Sequence, residues 1–323
     1  MRTPSPVPKL SVTITNYNYE RFVGRAIESV LGQTFTDFEL IVADNASTDH
    51  SREIIEQYAR QDPRIRVIAN TENKGLVGNL VIAIEAARGE FAVHLDADDW
   101  VCAPDAFERQ IAMLEQDPEI SFVWSPPSLK FEDGGETVIR IYDRDLVRPG
   151  AEALEDALKV RIMHSGPLFR MSAFRAFGGY DRNFHHSVDT RLVSDLCTQG
   201  KVGYINDALY ARYEHSSNLS TVSRHLERIE ELVRAVEVAC DSPFARQIPH
   251  IQQLRRSALR HVLLMTVTNL VFTNRYSEAL RALRASVRMR PIETLFQRQM
   301  VLLLVRVLIG GSLFSRLQGS RNG

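Results

Sequence analysis

The chain has 323 residues, 44% hydrophobic and 24% charged, enough to close one large core or two modest ones, which excludes a disordered polymer, a collagen-like repeat and a disulfide-stapled miniprotein. Cys102, Cys197 and Cys240 are odd in number and far apart, so they signal neither a zinc cluster nor a disulfide framework, and a reducing cytoplasm is the expected home. The net charge of -1 hides an asymmetry: residues 1–223 carry 23 basic and 33 acidic side chains, whereas residues 224–323 carry 16 arginines, no lysine and 7 acids.

Residues 1–9 are short, polar and proline-rich, with no apolar run behind their charges, so no signal peptide is readable and any work at a membrane is expected from its cytosolic side. Val12 and Ile14 alternate with polar neighbours over residues 10–15, which predicts a strand; Phe22, Ala26, Ile27, Val30 and Leu31 then recur at helical spacing and stop at Gly32. Residues 38–43 (FELIVA) form a continuous apolar run of strand length, followed by the turn-rich 44–49 (DNASTD) and a helix over 51–60. A third strand is expected at 65–68 and a helix over 77–87 with Gly89 as its C-cap. A fourth strand, 91–95, runs straight into Asp96-Ala97-Asp98-Asp99. This alternation predicts an α/β fold with a mostly parallel, doubly wound sheet.

A helix over 105–116 and a strand near 120–124 follow. Residues 125–150 read as loop, with Pro126-Pro127 and Gly134-Gly135, and 164–180 are rich in Gly and aromatics. From about 223 the pattern is helical, broken at 241–243, Pro249 and Pro291, so the chain divides near 221 into residues 1–221 and a basic helical region, 222–323. Residues 274–280 with Pro291 look like the second helix of a tetratricopeptide-type repeat, but in one copy, and a helical hairpin is expected instead. Residues 300–309 are apolar all round except Arg306, lie between Arg298 and Arg316, and are too few to span a bilayer. Such a helix is either buried in protein or dipped into an anionic membrane interface. The arginine excess has the same two readings: docking on the chain's own acidic half, or binding an acidic surface.

In open α/β sheets ligands sit beyond the carboxyl ends of the strands, here Thr15-Asn16-Tyr17, Asp44-Asn45 and residues 96–99. Neither G-x-G-x-x-G after the first strand nor G-x-x-x-x-G-K-[ST] is present, which argues against a dinucleotide or P-loop enzyme. Three carboxylates at one strand end repel one another and raise at least one pKa unless a cation sits among them. Mg²⁺ or Mn²⁺ wants such oxygen ligands and commonly shares them with substrate phosphates. A solvated acidic turn leading into the helix after Pro104 is the alternative.

The segments SVTITNYNYERFVGRAIESVLGQTFTDFELIVADNASTD, NTENKGLVGN, ARGEFAVHLDADDW, GGYDRNF and YARYEHSSNLS follow one another in the order of a known family. By them, the first 220 or so residues resemble a family 2 inverting glycosyltransferase of the GT-A fold; the C-terminal hundred lie outside the resemblance. The resemblance implies a nucleotide-sugar half (residues 1–124) and an acceptor half (125–221). Thr15 and Tyr17 would lie near the base, with Asp44 and Asn45 at its uracil or equivalent edge. Asn73 and Asn79 fall on the family's N-x-G-x-x-x-x-N pattern around Gly75, where a turn or capping role is the alternative. Asn45 departs from the Asp-Asp common there, and Val77-Gly78 stands where an Ala-Arg pair is common.

Asp96, Asp98 and Asp99 carry over as ribose and metal-diphosphate ligands, with Asp98 first for the metal; His215 would approach metal or diphosphate, and Arg212 a phosphate. Asp189 falls where the family has its base, a role compatible with capping a helix that starts beside it; Asp195 and Asp181 are fallbacks. His185 and His186 are substrate contacts or plain surface, and His94 is a strand residue. The implied activity is inverting, Mg²⁺- or Mn²⁺-dependent transfer of a sugar from a nucleotide-diphosphate donor, UDP foremost. The acceptor would be a hydroxyl of a glycan or lipid-linked molecule in surface polysaccharide synthesis, with the protein cytoplasmic or peripheral on the inner face of the cell membrane. A catalytically degenerate scaffold or sugar-nucleotide-binding protein is the alternative. Sugar-phosphate nucleotidylyltransfer would need a Gly-rich basic loop, which residues 15–20 (TNYNYE) do not provide, and no aromatic-basic interleaving suggests nucleic acid.

Overall fold

The computed structural model describes residues 7–159, 162, 166–215, 225–272, 279–281 and 284. Contacts divide the chain into two compact units, Met1–Ala157 with Arg161–Asn218, and Leu158–Val160 with Leu219–Gly323.

The first unit opens as its hydrophobic periodicity demands: β1 (Leu10–Asn16), α1 (Val23–Leu31), β2 (Phe38–Asp44), α2 (Ser51–Gln61), β3 (Ile65–Ala69), α3 (Gly75–Glu85) and β4 (Phe91–Asp96). Strands β3, β2, β1 and β4 lie side by side and parallel, with Leu10 opposite both Phe38 and Phe91. That register gives the sheet two unlike faces. Leu10, Val12, Ile14, Leu40, Val42, Val93 and Leu95 join Val23, Ala26, Ile27 and Val30 of α1 in one core, each buried side chain contributing about 1.5–3 kcal/mol. The alternate positions on the opposite face carry Ser11, Thr13, Thr15, Glu39, His94 and Asp96.

The sheet continues through β6 (Ile120–Trp124), β9 (Leu146–Pro149), β10 (Leu168–Arg170) and β11 (Lys201–Tyr204) to eight strands in the order β3-β2-β1-β4-β10-β6-β11-β9, with β10 antiparallel to both neighbours. A second sheet of β5 (Trp100–Val101), β12 (Tyr210–Glu214), β7 (Ser128–Phe131) and β8 (Glu136–Val138) forms beside the acidic loop. Helices α4 (Ala106–Gln116), α5 (Gly150–Leu158), α6 (Met171–Ala176) and α7 (Val188–Cys197) complete this unit.

The structure corrects several expectations. Residues 125–150 are not loop: they hold β7 and β8, which pair with each other as a local hairpin, and β9; β7 also pairs with β12 and β9 with β11, both far along the chain. The Gly- and aromatic-rich stretch contains β10 and α6. Ser187, not Asp189, stands at the N-cap of α7, and Asp189 falls in its first turn. Asp105, rather than any residue of the acidic turn, stands at the N-cap of α4.

Gly89 does not cap α3, which ends at Glu85 with Ala86 as C-cap. Its role is steric, because a Cβ there would lie 2.7 Å from Ser11 N, 2.8 Å from Phe91 O and 2.9 Å from the Leu10 carbonyl carbon. The backbone comes this close because Ser11 Oγ accepts from Arg88 N and Gly89 N while donating to buried Glu39. Glu39 in turn accepts from Arg66 and Arg88, which outweighs the burial cost and holds its carboxyl below the usual range.

In the second unit, the helices His225–Cys240 and Ile251–Phe272 are separated by a break at 241–250 holding a short 3-10 turn, where Pro243 and Pro249 were expected to stop a helix. Among the described residues no helix is long and apolar enough to cross a membrane. The apolar stretch 300–309 and most of the repeat-like 274–280 lie outside the described residues.

Gly89→Ala is expected to lower unfolding stability by about 1–3 kcal/mol, since only backbone movement can relieve the contact; the urea midpoint measures it, and an unchanged midpoint would refute the steric role.

Candidate active site

The carboxyl ends of β1, β2 and β4 converge, and the loops beyond them are stitched together by side chains. Asn16 donates from Nδ2 to Asp44 Oδ1 at 2.8 Å and to Ser47 Oγ at 3.1 Å. Ser47 donates its hydroxyl to Asp44 at 2.5 Å and its backbone N–H at 3.1 Å, so Asp44 is a buried clasp between the two loops. Asn18 (φ 58) and Ala46 (φ 60) take left-handed conformations at the turns so joined.

Asn45 works on the other side of the same loop. Its Nδ2 donates to Asn73 Oδ1 (2.9 Å) and to Gly75 O (3.2 Å), and its Oδ1 accepts from Lys74 N (2.8 Å) and Asn70 Nδ2 (3.3 Å). Asn70 also donates to Asn79 Oδ1, while Asn79 Nδ2 donates to Ala43 O. The predicted asparagines 45, 73 and 79 are thus brought together, and Asn70, which sequence reasoning missed, is the residue that joins them. Tyr17 stands 43% exposed at the tip of the first loop, and Thr15 is nearly buried beside it.

On the polar face, His94 lies buried with Nδ1 3.1 Å from Thr13 Oγ1 and Nε2 3.2 Å from Asp96 Oδ1. It is a strand residue as expected, and it also steadies the first acid of the D-x-D. Asp98 is buried, and Asp96's charge adds to that burial in raising its pKa. His215, just past the end of β12 and 117 residues later, answers it with Nε2 3.1 Å from Asp98 Oδ2. Tyr19 also hydrogen-bonds Asp98, and Tyr213 N–H donates to Asp99 Oδ1 at 3.2 Å.

An aromatic shell holds these groups. His215 packs against Phe22 and Tyr213, with ring centroids 4.6 and 5.5 Å away. Arg25 lies 3.6 Å over the Trp100 ring and 4.9 Å from that of Tyr213, and donates to Asp98 O at 3.2 Å. The pairing of β5 with β12, Ala211 opposite Trp100, is what brings the shell together. Tyr19, Phe22, Arg25 and Trp100 were missed because they fit an ordinary helical or strand pattern.

The donor set of Asp98 and His215 fits a hard or borderline divalent cation, and Asp96's field on Asp98 is a repulsion such an ion would relieve. Among the described residues no three His, Cys, Asp or Glu side chains form a complete cage, so phosphate and water would have to fill the remaining positions.

Other predicted residues are less centrally placed. Arg212, on β12, pairs with Glu214 at 2.9 Å. Asp189 is half-buried; its Oδ1 accepts from Thr190 N at 2.7 Å. Asp195 is pushed up to about 7 by burial, a value suited to proton transfer, yet it pairs inward with Arg191 at 2.9 Å. Asp181 accepts from Asn183. His185 is exposed and His186 half-buried.

The family description "Glycosyl transferase family 2" matches residues 11–176. A chondroitin synthase of Escherichia coli is 28% identical over 214 residues, 66% of this chain and 30% of that protein, so the chain spans less than a third of that relative's length. The putative glycosyltransferase EpsE of Bacillus subtilis (strain 168) is 33% identical over 213 residues, 65% of this chain and 74% of that one. The crystal structure of S. aureus TarS 1-349 in complex with UDP-GlcNAc shares the fold with a TM-score of 0.69 at 16% identity, covering 86% of this chain and 81% of that one. The mannosyltransferase PcManGT of Pyrobaculum calidifontis, in complex with GDP-Man and Mn2+, gives 0.57 at 18% identity, covering 95% and 87%.

Asn45→Asp, isosteric and matching the acid pair common in relatives, is expected to destabilise this chain by about 1–3 kcal/mol at pH 7, because two donated bonds become contacts between acceptors. The introduced carboxyl would have a folded pKa above its unfolded value, so the deficit grows as pH rises through the folded value and shrinks below about pH 4. Urea unfolding of both proteins at pH 4 and pH 7 tests this; equal stability at pH 7 would refute it.

Proposed function

The chain belongs to glycosyl transferase family 2, and on that premise we propose that it moves a sugar, with inversion, from a nucleoside-diphosphate donor, UDP foremost, to a hydroxyl of a glycan or lipid-linked acceptor. The observation that carries this reading is the meeting of Asp98 and His215 at 3.1 Å beyond the end of β4, with Asp96 held by His94 beside them. Relatives named as a chondroitin synthase and as a putative teichuronic acid biosynthesis glycosyltransferase support a role in surface polysaccharide synthesis. The reading assigns the donor to residues 1–124 and the acceptor to 125–221.

Each residue then has a defined role. The exposed ring of Tyr17 covers the base, and Thr15 lines the pocket below it. Asp44, Asn45, Asn73 and Asn79 shape the base pocket through the bonds they already make. Asp96 takes the ribose, with His94 fixing its carboxylate. Asp98, Asp99 and His215 would hold Mg²⁺ or Mn²⁺, and Arg212 a phosphate oxygen. A bound cation stabilises the charge that develops on the diphosphate as the sugar leaves.

Inversion requires attack from the face opposite the diphosphate and a base there for the acceptor's proton. Asp189 suits that role, because Thr190 N–H fixes one oxygen and the other has no hydrogen-bond partner among the described residues. The sugar passes through an oxocarbenium-like state, as in glycoside hydrolysis. The acceptor hydroxyl attacks the anomeric carbon, the bond to the phosphate oxygen breaks, and Asp189 takes the proton.

Two measurements test the reading. In a thermal-shift panel of UDP, GDP, dTDP and CDP, each with Mn²⁺ and with EDTA, one diphosphate is expected to stabilise the chain only with metal. No response from the folded protein to any of them would favour the scaffold alternative. Asp189→Asn is expected to keep donor binding while slowing transfer by about 100- to 10,000-fold; transfer near the wild-type rate would remove Asp189 as the base.

A further inference from the structure

The peptide plane between Asp98 and Asp99 is pinned at both ends. Its N–H, on Asp99, donates to Asp96 O at 3.0 Å, and its C=O, on Asp98, accepts from Arg25 Nη2 at 3.2 Å. A planar peptide unit leaves rotation only about the bonds on either side, so fixing it sets the directions in which both carboxylates leave the chain. The bond to Asp96 closes a local turn. Arg25, by contrast, reaches the loop from 73 residues away.

Arg25 is the first of three side chains spaced four residues apart along α1 and just past its end. Ser29 Oγ accepts from Val101 N at 3.1 Å, and Gln33 Nε2 donates to Ala103 O at 2.8 Å. Residues one helical turn apart lie on one face, so this stripe follows the chain from the acidic turn through β5 to Ala103. At the acidic end, Arg25 Cζ lies 3.6 Å from the centroid of the Trp100 ring and 4.9 Å from that of Tyr213. Tyr213 in turn stacks on His215 and gives its N–H to Asp99. One side chain of α1 thus meets the acidic turn and both strands, β5 and β12, that frame it.

We propose that Arg25 is a positioning residue for the cation site: clamped between Trp100 and Tyr213, it holds the peptide between Asp98 and Asp99 in the orientation that presents both carboxylates to Mg²⁺ or Mn²⁺. This inference rests on the transferase reading, which puts the cation there. Groups that orient metal ligands set affinity without touching the ion. The charge of Arg25 acts the other way, because its field reaches Asp98 and Asp99 and a fixed positive charge beside a cation site weakens binding. Loss of Arg25 therefore tightens the metal if charge decides and loosens it if orientation decides.

Arg25→Met removes charge and donor but keeps a long chain between the rings, Arg25→Lys keeps the charge without the planar fork, and Ser29→Ala loosens the same stripe away from the acids. In the full-length chain, the Mn²⁺ concentration that gives half the thermal shift is measured at fixed UDP and, separately, at fixed GDP; unfolding midpoints without ligand register general loosening. Both Arg25 variants are expected to need roughly tenfold more Mn²⁺ than wild type, and Ser29→Ala the same amount as wild type. An Arg25→Met variant that needs equal or less Mn²⁺ overturns the proposal, since the guanidinium then only repels the ion. Arg25→Lys behaving as wild type overturns it in favour of charge, and Ser29→Ala weakened as much as Arg25→Met overturns it in favour of general loosening. Should Arg25→Met not fold, Arg25→Lys decides alone. Wild-type protein that responds to neither diphosphate with Mn²⁺ overturns the transferase reading itself.

Discussion

Asp96, Asp98 and Asp99 leave the end of one strand within four residues, and the repulsion among their charges is the constraint around which this site is organised. Two like charges about 4 Å apart in a protein-like dielectric repel by about 4 kcal/mol, whereas one neutral hydrogen bond returns about 1 kcal/mol. No single neighbour can balance the cluster. The chain therefore spreads the compensation over several groups: His94 faces Asp96, His215 and Tyr19 face Asp98, the Tyr213 backbone faces Asp99, and Arg25 lies across the loop between two rings. Even so, Asp98 keeps a raised pKa. Burial comes first among the causes and Asp96's charge second, and on the proposed function a bound cation would relieve the second.

Meeting this constraint requires residues from both ends of the catalytic unit, and the second sheet provides them. Strand β12 runs antiparallel to β5 and parallel to β7, and so carries Tyr213 and His215 back to a loop more than a hundred residues earlier. The two-faced main sheet does the complementary work. Its apolar face anchors β1, β2 and β4 on α1, which fixes where the strands end. Its polar face carries the line Thr13, His94, Asp96, so the position of the first acid is set from inside the sheet.

What the sequence made legible follows from the range of the forces involved. Strands β1 to β4 and helices α1 to α4 could be read because their burial patterns are local and periodic. Strands β7 to β10 could not, because three or four residues carry too little pattern and, apart from the β7–β8 hairpin, their partners are remote. The site divides in the same way. The acids at the end of β4 stood out by position, and the family resemblance pointed to Asp189 and His215. Asn70, Tyr19 and Arg25 were hidden inside ordinary turn and helix patterns, since only the folded chain reveals what their side chains touch. Asn45 is the instructive case. It departs from the acid pair common in the family, and its two amide donors face Asn73 Oδ1 and Gly75 O, which an acid could not satisfy.

The polar groups around the site thereby fall into two kinds. Asp44, Asn45 and Asn79 have their hydrogen bonds filled by neighbours and give the loops their shape. The second oxygen of Asp189 and the Oδ1 of Asn16 lack such bonds among the described residues. Saturated groups stabilise the fold but have little left to give a ligand; unsaturated ones cost stability in the free chain and gain most when a ligand arrives. The division is therefore physical as well as descriptive: the filled bonds of the asparagine-rich loops set the shape of the site, and on the proposed function half-buried Asp189 keeps one oxygen for the acceptor's proton.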